Sequence, residues 1–392
     1  MNIRIFKEDV LDGLQKAANI IQNRSGYPYL RSLWLQASEN RVNVMATDMN
    51  IEFKGSYPSE VLTPGMVGVQ GKDFVEIIRR AYTGGISLKL DAESKHLNID
   101  QGGEQGSFSC KIPILESSWR QDLAEFPDKK SGPVLWSGDF FQELIDRVSY
   151  CISDGDGDNI SCMLIKPGEG SFIDVCGLNS HQMGLIRFTH DDLRAVLPSS
   201  GILIQKKYLL ELKKWIGNKE VEVSLDEKRV FLRDVDHKEL FSLPLSSYQY
   251  PDYLSLLERS KGRSTSRLTV NRKEIIDALE RLSIFNSDTN IFTYYDLNSA
   301  GAGALSVSVK SQDKGSCNQK LKAEFNGDLK IISFPTKSML EIFSHFHSEK
   351  IDLVMDTENP CAVSGGEDPD YTVIIMPMKV SEHVNYEEEK VQ

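Results

Sequence analysis

Long apolar runs are missing from this chain. No stretch reaches the length of about 18 apolar residues that a membrane span needs. Residues Met1 to Val10 hold no apolar signal region, so a cytoplasmic protein is expected and secretion is not. Cysteine is sparse. Cys110, Cys151, Cys162, Cys176, Cys317 and Cys361 are scattered and none forms a C-x-x-C pair, which leaves no zinc ribbon and no redox motif. Free thiols in a reducing compartment are the natural reading. Catalytic signatures are missing too: there is no G-x-S-x-G, no Walker loop and no H-E-x-x-H. The run Asp154-Gly155-Asp156-Gly157-Asp158 fails as a calcium loop, because Asn159 and Ile165 stand where Gly and Glu are required. His345 and His347, read as lying inside the last helix, are two apart and share no helical face. No catalytic residue, metal or cofactor is expected. An excess of positive charge is lacking as well: the net charge is −12, which argues against nucleic acid unless the charges are unevenly distributed.

What is present is an ordinary globular composition, 40% hydrophobic and 26% charged over 392 residues. It is carried by a unit repeated three times. Lys72-Asp73-Phe74-Val75-Glu76-Ile77, Lys207-Tyr208-Leu209-Leu210-Glu211-Leu212 and Lys337-Ser338-Met339-Leu340-Glu341-Ile342 share one pattern, 135 and 130 residues apart. Each leads to an alternating segment that ends in Asp: Ile86 to Asp91, Val221 to Asp226 and Ile351 to Asp356. Alternation predicts half-buried strands. Earlier in each unit a short strand-like lead (Ile3 to Ile5, Val134 to Trp136, Leu268 to Val270) precedes helically spaced apolar residues: Val10, Leu11 and Leu14; Phe140, Phe141 and Leu144; Ile275, Ile276 and Leu279. Pro127 to Pro133 and Glu258 to Ser266 read as linkers by composition. The expectation is an α+β chain of three similar domains, 1–128, 129–260 and 261–380, followed by an acidic tail, 381–392. Similar units in series close into a ring if head and tail are complementary.

The helical segments hold much of the positive charge: Lys7, Lys16, Lys72, Arg79, Arg80, Arg147, Lys206, Lys207, Lys213, Lys214, Arg272, Lys273, Arg281 and Lys337, with Arg24 just beyond the first. Acidic runs lie elsewhere, at Asp154 to Asp158 and Glu387 to Glu389. Helical Lys and Arg suit either a solvated face or a weakly basic lining for DNA. Met376-Pro377-Met378 suits either a buried edge strand or an adaptable binding groove. A hydrolase and a repeat scaffold with no nucleic-acid role are the competing function classes.

Three local segments carry a family resemblance. Ala46-Thr47-Asp48-Met49-Asn50-Ile51-Glu52, Tyr250-Pro251-Asp252-Tyr253 and Ile374-Ile375-Met376-Pro377-Met378-Lys379-Val380 resemble, in order and spacing, segments of the bacterial DNA polymerase III beta subunits, the sliding clamps. The resemblance covers residues 1–380. It implies a clamp fold with helices lining a ring and sheets outside. It also implies a homodimer around duplex DNA, and a hydrophobic peptide cleft for the replicative polymerase, the clamp loader and other proteins with a clamp-binding motif, with no membrane role. The family's DNA-facing positions fall on Arg24, Lys72, Arg79, Lys206 and Lys207. Its cleft positions fall on Ile160, Leu178, Ser180, His181, Gln182, Met183, Pro251, Ser255 and Leu256, and, near the end, on Ile374, Met376, Pro377, Met378 and Lys379. Its interface positions fall on Phe108, Ile284 and Phe285. Ser180, Gln182 and Ser255 depart from the Gly and Arg residues common in the family. This implies an altered peptide preference.

Overall fold

A computed structural model describes residues 1–378 apart from 22–26, 92, 94, 104–105, 116–118, 120–121, 128–131, 156, 262–265, 289 and 299–302. Three successive series of elements follow one plan. The first is β1 (Asn2–Phe6), α1 (Lys7–Ile20), β2 (Ser32–Ser38), β3 (Arg41–Thr47), β4 (Glu52–Thr63), β5 (Gly65–Gln70), α2 (Gly71–Arg80), β6 (Gly85–Asp91), β7 (His96–Gly103) and β8 (Gly106–Pro113). The second is β9 (Val134–Ser137), α3 (Gly138–Ser149), β10 (Cys162–Pro167), β11 (Phe172–Leu178), β12 (Gln182–Thr189), α4 (Asp191–Val196), β13 (Ile202–Gln205), α5 (Lys206–Ile216), β14 (Glu220–Leu225), β15 (Arg229–Asp234) and β16 (Glu239–Pro244), trailed by α6 (Tyr253–Lys261). The third is β17 (Ser266–Asn271), α7 (Arg272–Ser283), β18 (Phe292–Asp296), β19 (Ala304–Ser311), β20 (Gly315–Asn326), β21 (Ile331–Pro335), α8 (Thr336–Ser344), β22 (Lys350–Met355), β23 (Cys361–Gly365) and β24 (Asp368–Ile375).

The alternation read from the sequence is the burial pattern of the strands. In β6, Ile86 and Leu88 are buried while Ser87 and Lys89 are exposed. In α2, Phe74, Val75 and Ile78 form the buried stripe and Lys72, Asp73, Arg79 and Arg80 stay in solvent. Two sequence readings are corrected. Glu258 to Lys261 belong to α6 rather than to a linker. The last helix ends at Ser344, so His345 is its C-cap, with Nδ1 2.7 Å from the Glu341 carbonyl, and His347 lies outside it. Among the described residues no helix is long and apolar enough to cross a membrane.

The repeat extends to hydrogen bonds. The first residue of the first helix donates its N–H to the chain beyond the second helix at each copy: Lys7 to Gly84 (3.2 Å), Gly138 to Lys219 (2.8 Å) and Arg272 to Glu349 (2.8 Å). A side chain then reaches carbonyls left over in the last turn of the second helix or just past it. Lys7 Nζ donates to Arg79 (2.8 Å) and Ala81 (2.5 Å), Gln142 Nε2 to Gly217, and Arg272 Nε to Ser348 (3.1 Å).

Two compact units arise from the strand ladders. The first holds Met1–Glu143, Ala195–Leu197 and Lys207–Ser246; the second holds Leu144–Arg194, Pro198–Lys206 and Ser247–Gln392. Within the first, β4 pairs β16 with Lys54 opposite Leu240. Within the second, β12 pairs β24 with Leu185 opposite Thr372. Each twelve-stranded sheet therefore joins one complete series to half of the middle one.

These two junctions share one register. The residues before the second helices, Gln70, Gln205 and Pro335, lie opposite Ser32, Cys162 and Phe292. Two residues on, Trp34, Leu164 and Tyr294 oppose Met45, Cys176 and Ser308. Those in turn oppose Lys54, Leu185 and Asn318. The other sheet edge is traced the same way from Phe6, Ser137 and Asn271, which oppose Gly85, Glu220 and Lys350. Two residues on, Ser87, Glu222 and Asp352 oppose Asp100, Arg233 and Ser364. These oppose Ser109, Leu240 and Thr372. Asn318 and Ser109 are thus the third equivalents of the two residues that meet at each junction. Among the described residues, β8 has no ladder on its outer side, and Gly315–Lys322 of β20 has a ladder only with β19.

Candidate functional site

The residues read as a peptide site converge on one face of the second unit. Leu164 sits opposite Cys176 and Leu203, Leu178 opposite Met183, and Met183 opposite Ile374. Directly opposed residues share a face, so these side chains form one apolar layer with Cys162 and Leu185. Tyr253 and Leu257 of α6 cover it, and Ile160, Tyr250, Leu254, Leu256 and Ala362 form a half-exposed margin. Polar anchors fix the covering segment. Tyr253 donates its hydroxyl to Asp174 Oδ2 (2.8 Å), whose other oxygen pairs with Arg187 Nε at 3.0 Å. Tyr250 donates to the Cys176 carbonyl at 3.1 Å. Burial, and then the bond to Asp174, push the Tyr253 phenol well above its ordinary range, so it stays a donor.

Five predicted positions, Ile160, Leu178, Met183, Leu256 and Ile374, fall in this one cluster. Pro251 lies half-buried between the two tyrosines, and its carbonyl accepts the Tyr253 N–H at 2.9 Å. Ser180 and His181 are exposed at a hairpin tip, where Asn179 Oδ1 accepts the N–H groups of His181 (2.8 Å) and Gln182 (3.0 Å). Met376 donates its N–H to the His181 carbonyl (2.9 Å) and Met378 to the Ser333 carbonyl (2.9 Å), so half-buried Met376, Pro377 and Met378 run along the margin.

Two predicted positions stand apart. Gln182 is one residue from Met183 and therefore faces the other side of the sheet. Its Nε2 donates to the Tyr150 carbonyl at 3.2 Å, and its buried Oε1 meets no hydrogen-bond donor among the described residues. Ser255 is held by Asp252, through its hydroxyl (2.5 Å) and its N–H (3.2 Å), and these bonds lower the Asp252 carboxyl below its ordinary value. Lys379 lies outside the described residues. Leu164, Cys176, Leu185 and Leu203 of the layer, and Tyr250, Tyr253 and Leu257 above it, were not singled out from sequence; only the apolar runs of their strands and the Tyr-Pro-Asp-Tyr segment hinted at them.

The register-equivalent surface of the first unit has a different chemistry. There Met45 and Lys54 occupy the places of Cys176 and Leu185, and a cavity of about 830 Å³ is lined by Trp119, Glu125, Arg233, His237 and Glu239 among others. This is a hollow of mixed lining, with charged Lys54, Glu125, Arg233 and Glu239 beside Met45, Trp119 and Phe126, rather than an apolar layer.

The predicted DNA-facing positions are unequal. Lys72 and Lys207 are exposed, Lys207 with its Nζ 5.2 Å from the Tyr208 ring centre. Arg79 is exposed but clasped by Glu76 through Nε (2.9 Å) and a terminal nitrogen (2.8 Å), and Arg80 Nε reaches the same carboxylate at 2.5 Å. The hydrogen bond from Arg79, then that from Arg80, hold the Glu76 carboxyl down at about 2. Lys206 donates to the Ile152 carbonyl (2.9 Å) and Asp154 Oδ1 (2.6 Å), so one residue of the acidic run tethers a predicted DNA contact. Arg24 lies outside the described residues. At the predicted interface positions, Phe108 on β8 and Phe285 after α7 are half-buried, and Ile284 is 68% exposed.

Comparison with known proteins is consistent along the whole chain. Residues 1–109 match the DNA polymerase III beta subunit N-terminal domain and residues 262–379 its C-terminal domain, together more than half of the sequence. The beta sliding clamp of Pseudomonas aeruginosa is 21% identical over 391 residues, covering 97% of this chain and 100% of that protein. Among solved structures, the DNA polymerase sliding clamp of Bacillus subtilis superposes with a TM-score of 0.85 at 19% identity, covering 97% and 100% of the two chains. A sliding clamp from Pseudomonas aeruginosa bound to griselimycin gives 0.84 at 18% identity with the same coverage. The chain belongs to the DNA polymerase III beta subunits, the sliding clamps.

Proposed function

We propose that two copies of this chain close head to tail into a ring around duplex DNA, and that the ring confers processivity by holding the replicative polymerase, the clamp loader and other partners through a short peptide site. The subunit is non-catalytic on this reading. Its three domains are 1–128, 129–260 and 261–380, and 381–392 is an acidic tail.

One observation carries the proposal. The long strand of each series pairs with the last strand of the next, β4 with β16 and β12 with β24, in one register. The third long strand, β20, and the first last strand, β8, are the two ends left over. A second copy supplies the complement to both at once, through two identical contacts related by a two-fold axis, and the assembly has no remaining ends. Encirclement then provides the residence time on DNA, so the basic positions need bind only weakly and without sequence preference. The apolar layer beside Met376 to Met378 suits two or three side chains of a peptide. At about 1.5–3 kcal/mol for each buried side chain, less the cost of ordering, such a site lets partners exchange.

The test combines sedimentation with DNA retention. The full chain should sediment as a dimer at micromolar concentration. Once loaded on a nicked circular plasmid, it should be retained through a salt wash and released when the plasmid is cut. A monomer overturns ring closure, and retention on linear DNA overturns encirclement in favour of a scaffold or an ordinary DNA-binding protein.

A further inference from the structure

We propose that Cys110 of one copy and Cys317 of the other face each other across the closing strand junction and form a reversible disulfide, so that the ring carries a redox lock at each of its two closures. This rests on the head-to-tail homodimer proposed above.

Strand register places the two thiols opposite each other. The two junctions inside the chain place Lys54 opposite Leu240 and Leu185 opposite Thr372. The third equivalents, traced independently through the ladders on either side, are Asn318 on β20 and Ser109 on β8. In an antiparallel pair, one step back along one strand is one step forward along the other. The neighbours are therefore Cys317 and Cys110. The same step inside the chain gives the directly opposed pairs Phe53 with Phe241 and Gly184 with Val373. Those positions are interior: Phe53 and Val373 are 0% exposed and Phe241 1%. Phe241 stacks on Trp215 of α5, with ring centres 5.4 Å apart, which marks this as the helix-covered side of the sheet.

The two cysteines are distinct from the rest. Cys151, Cys162, Cys176 and Cys361 are buried in the subunit, whereas Cys110 and Cys317 are half-exposed free thiols, one on each unpaired edge. On β20, Cys317 lies on the same face as Gln319, whose side chain accepts a hydrogen bond from Arg281 of α7 at 2.9 Å. It thus lies under the helix, as its equivalents do. Directly opposed residues of antiparallel strands have Cα separations of about 4.5–5.5 Å. A disulfide needs about 4.4–6.8 Å, so closure brings the thiols to bonding distance without moving the backbone.

The chemistry is thiol–disulfide exchange with a low-molecular-weight disulfide. One cysteine thiolate attacks a sulfur of the small disulfide, forming a mixed disulfide and expelling one small thiol. The facing thiolate then attacks the protein-bound sulfur and expels the second. Two protein thiols are oxidised to one bond, and one small disulfide is reduced to two thiols. In a reducing compartment the bond stays open; a surge of disulfide closes it, and a reductant reopens it.

The experiment uses the full chain. Under dithiothreitol it is first sedimented, then transferred to glutathione disulfide, and run on a denaturing gel without reductant. A covalent dimer is expected, with peptide mapping that joins Cys110 to Cys317. It should revert with dithiothreitol and persist as a dimer on dilution to nanomolar concentration. Cys110→Ser and Cys317→Ser should each abolish the covalent dimer while still sedimenting as dimers. Co-expression of the two variants should restore a singly linked dimer, because one of its two junctions keeps both thiols. A dimer under reductant that yields no linkage, or a linkage mapped to other cysteines or within one chain, overturns the lock and leaves the ring standing. A monomer under reductant overturns the ring and the lock together.

Discussion

Arg147 and Asp368 form a 2.8 Å ion pair that reproduces, in the second unit, the 2.7 Å pair of Lys16 and Glu239 in the first. Lys16 and Arg147 each stand nine residues after the start of their helices at Lys7 and Gly138. Glu239 and Asp368 each open the strand that joins one series to the previous one. The surroundings differ. Lys16 also holds Asp12 at 2.7 Å, and Tyr57 donates to Glu239 at 2.8 Å. Asp368 instead accepts from the Ser348 N–H (2.8 Å), the Ser348 hydroxyl (2.5 Å) and the His347 N–H (2.9 Å). Each pair clamps a first helix onto the strand that makes the junction.

Removing one partner of such a pair leaves a buried charge without its complement. Asp368→Asn should lower the unfolding free energy of the second unit by about 3–5 kcal/mol. Neutralising both partners, Arg147→Met with Asp368→Asn, should cost clearly less, because no charge is then left without its complement and the amide oxygen still accepts from Ser348. Urea unfolding curves of the three proteins check this, and equal losses for the single and double variants would mean that the charge pair is not what clamps the helix.

The same carboxylate sets a pH dependence. Burial alone would raise its pKa, but the bonds from Ser348 and the charge of Arg147 outweigh burial and hold it below the ordinary carboxylate value. A group with a folded-state pKa below its unfolded one contributes stability above the unfolded value, about 4, and loses it as pH falls through the folded one. The melting temperature should therefore fall more steeply below pH 4 in the parent than in Asp368→Asn. Parallel curves for the two proteins would assign the acid sensitivity to other groups.

Much of this fold is legible in the sequence because its cores are periodic. Ile86 and Leu88 must alternate with polar residues to bury one strand face, and Phe74 and Ile78 must stand four apart to bury one helix face. The three copies therefore betray themselves in composition. The clamp of Arg147 on Asp368 spans 221 residues and leaves no local trace. Helix α6 is hidden for another reason: Glu258-Arg259-Ser260-Lys261 reads as a linker, yet Tyr253 and Leu257 pin the helix to the sheet below. The facing of Gln182 was accessible in principle, since adjacent strand residues cannot share a face with each other. The proposed facing of Cys110 and Cys317 can be traced only through every ladder between them.

Peptide binding should follow the facing of the side chains. Met378→Ala should weaken a labelled Gln-Leu-x-Leu-Phe peptide about tenfold, equivalent to about 1.4 kcal/mol, because it removes an adaptable apolar contact from the margin. Gln182→Ala should change affinity by less than about threefold, since its amide serves the Tyr150 carbonyl on the opposite face. Fluorescence anisotropy titrations of the two variants separate these expectations. A large loss for Gln182→Ala beside none for Met378→Ala would place the peptide on the other side of the sheet.

The basic positions should respond to the company they keep. Each side chain that neutralises a phosphate adds about 0.9 to the slope of log K against log salt. On the proposed reading Lys72→Ala and Lys207→Ala each flatten that slope by about this amount. Arg79→Ala should do less, because Glu76 already holds one edge of its guanidinium, through Nε and a terminal nitrogen. The informative variant is Glu76→Ala. It frees Arg79 and Arg80 together, adds no basic residue, and lies on the exposed side of α2, away from buried Phe74 and Ile78. It should tighten binding to a short duplex at low salt and steepen the slope by up to about two phosphate contacts, while the melting temperature stays within a degree or two of the parent. Binding measured by anisotropy across a salt series decides it. An unchanged slope in Glu76→Ala would mean that this face of α2 does not meet DNA, and Lys72 and Arg79 would then leave the list of DNA-facing residues together.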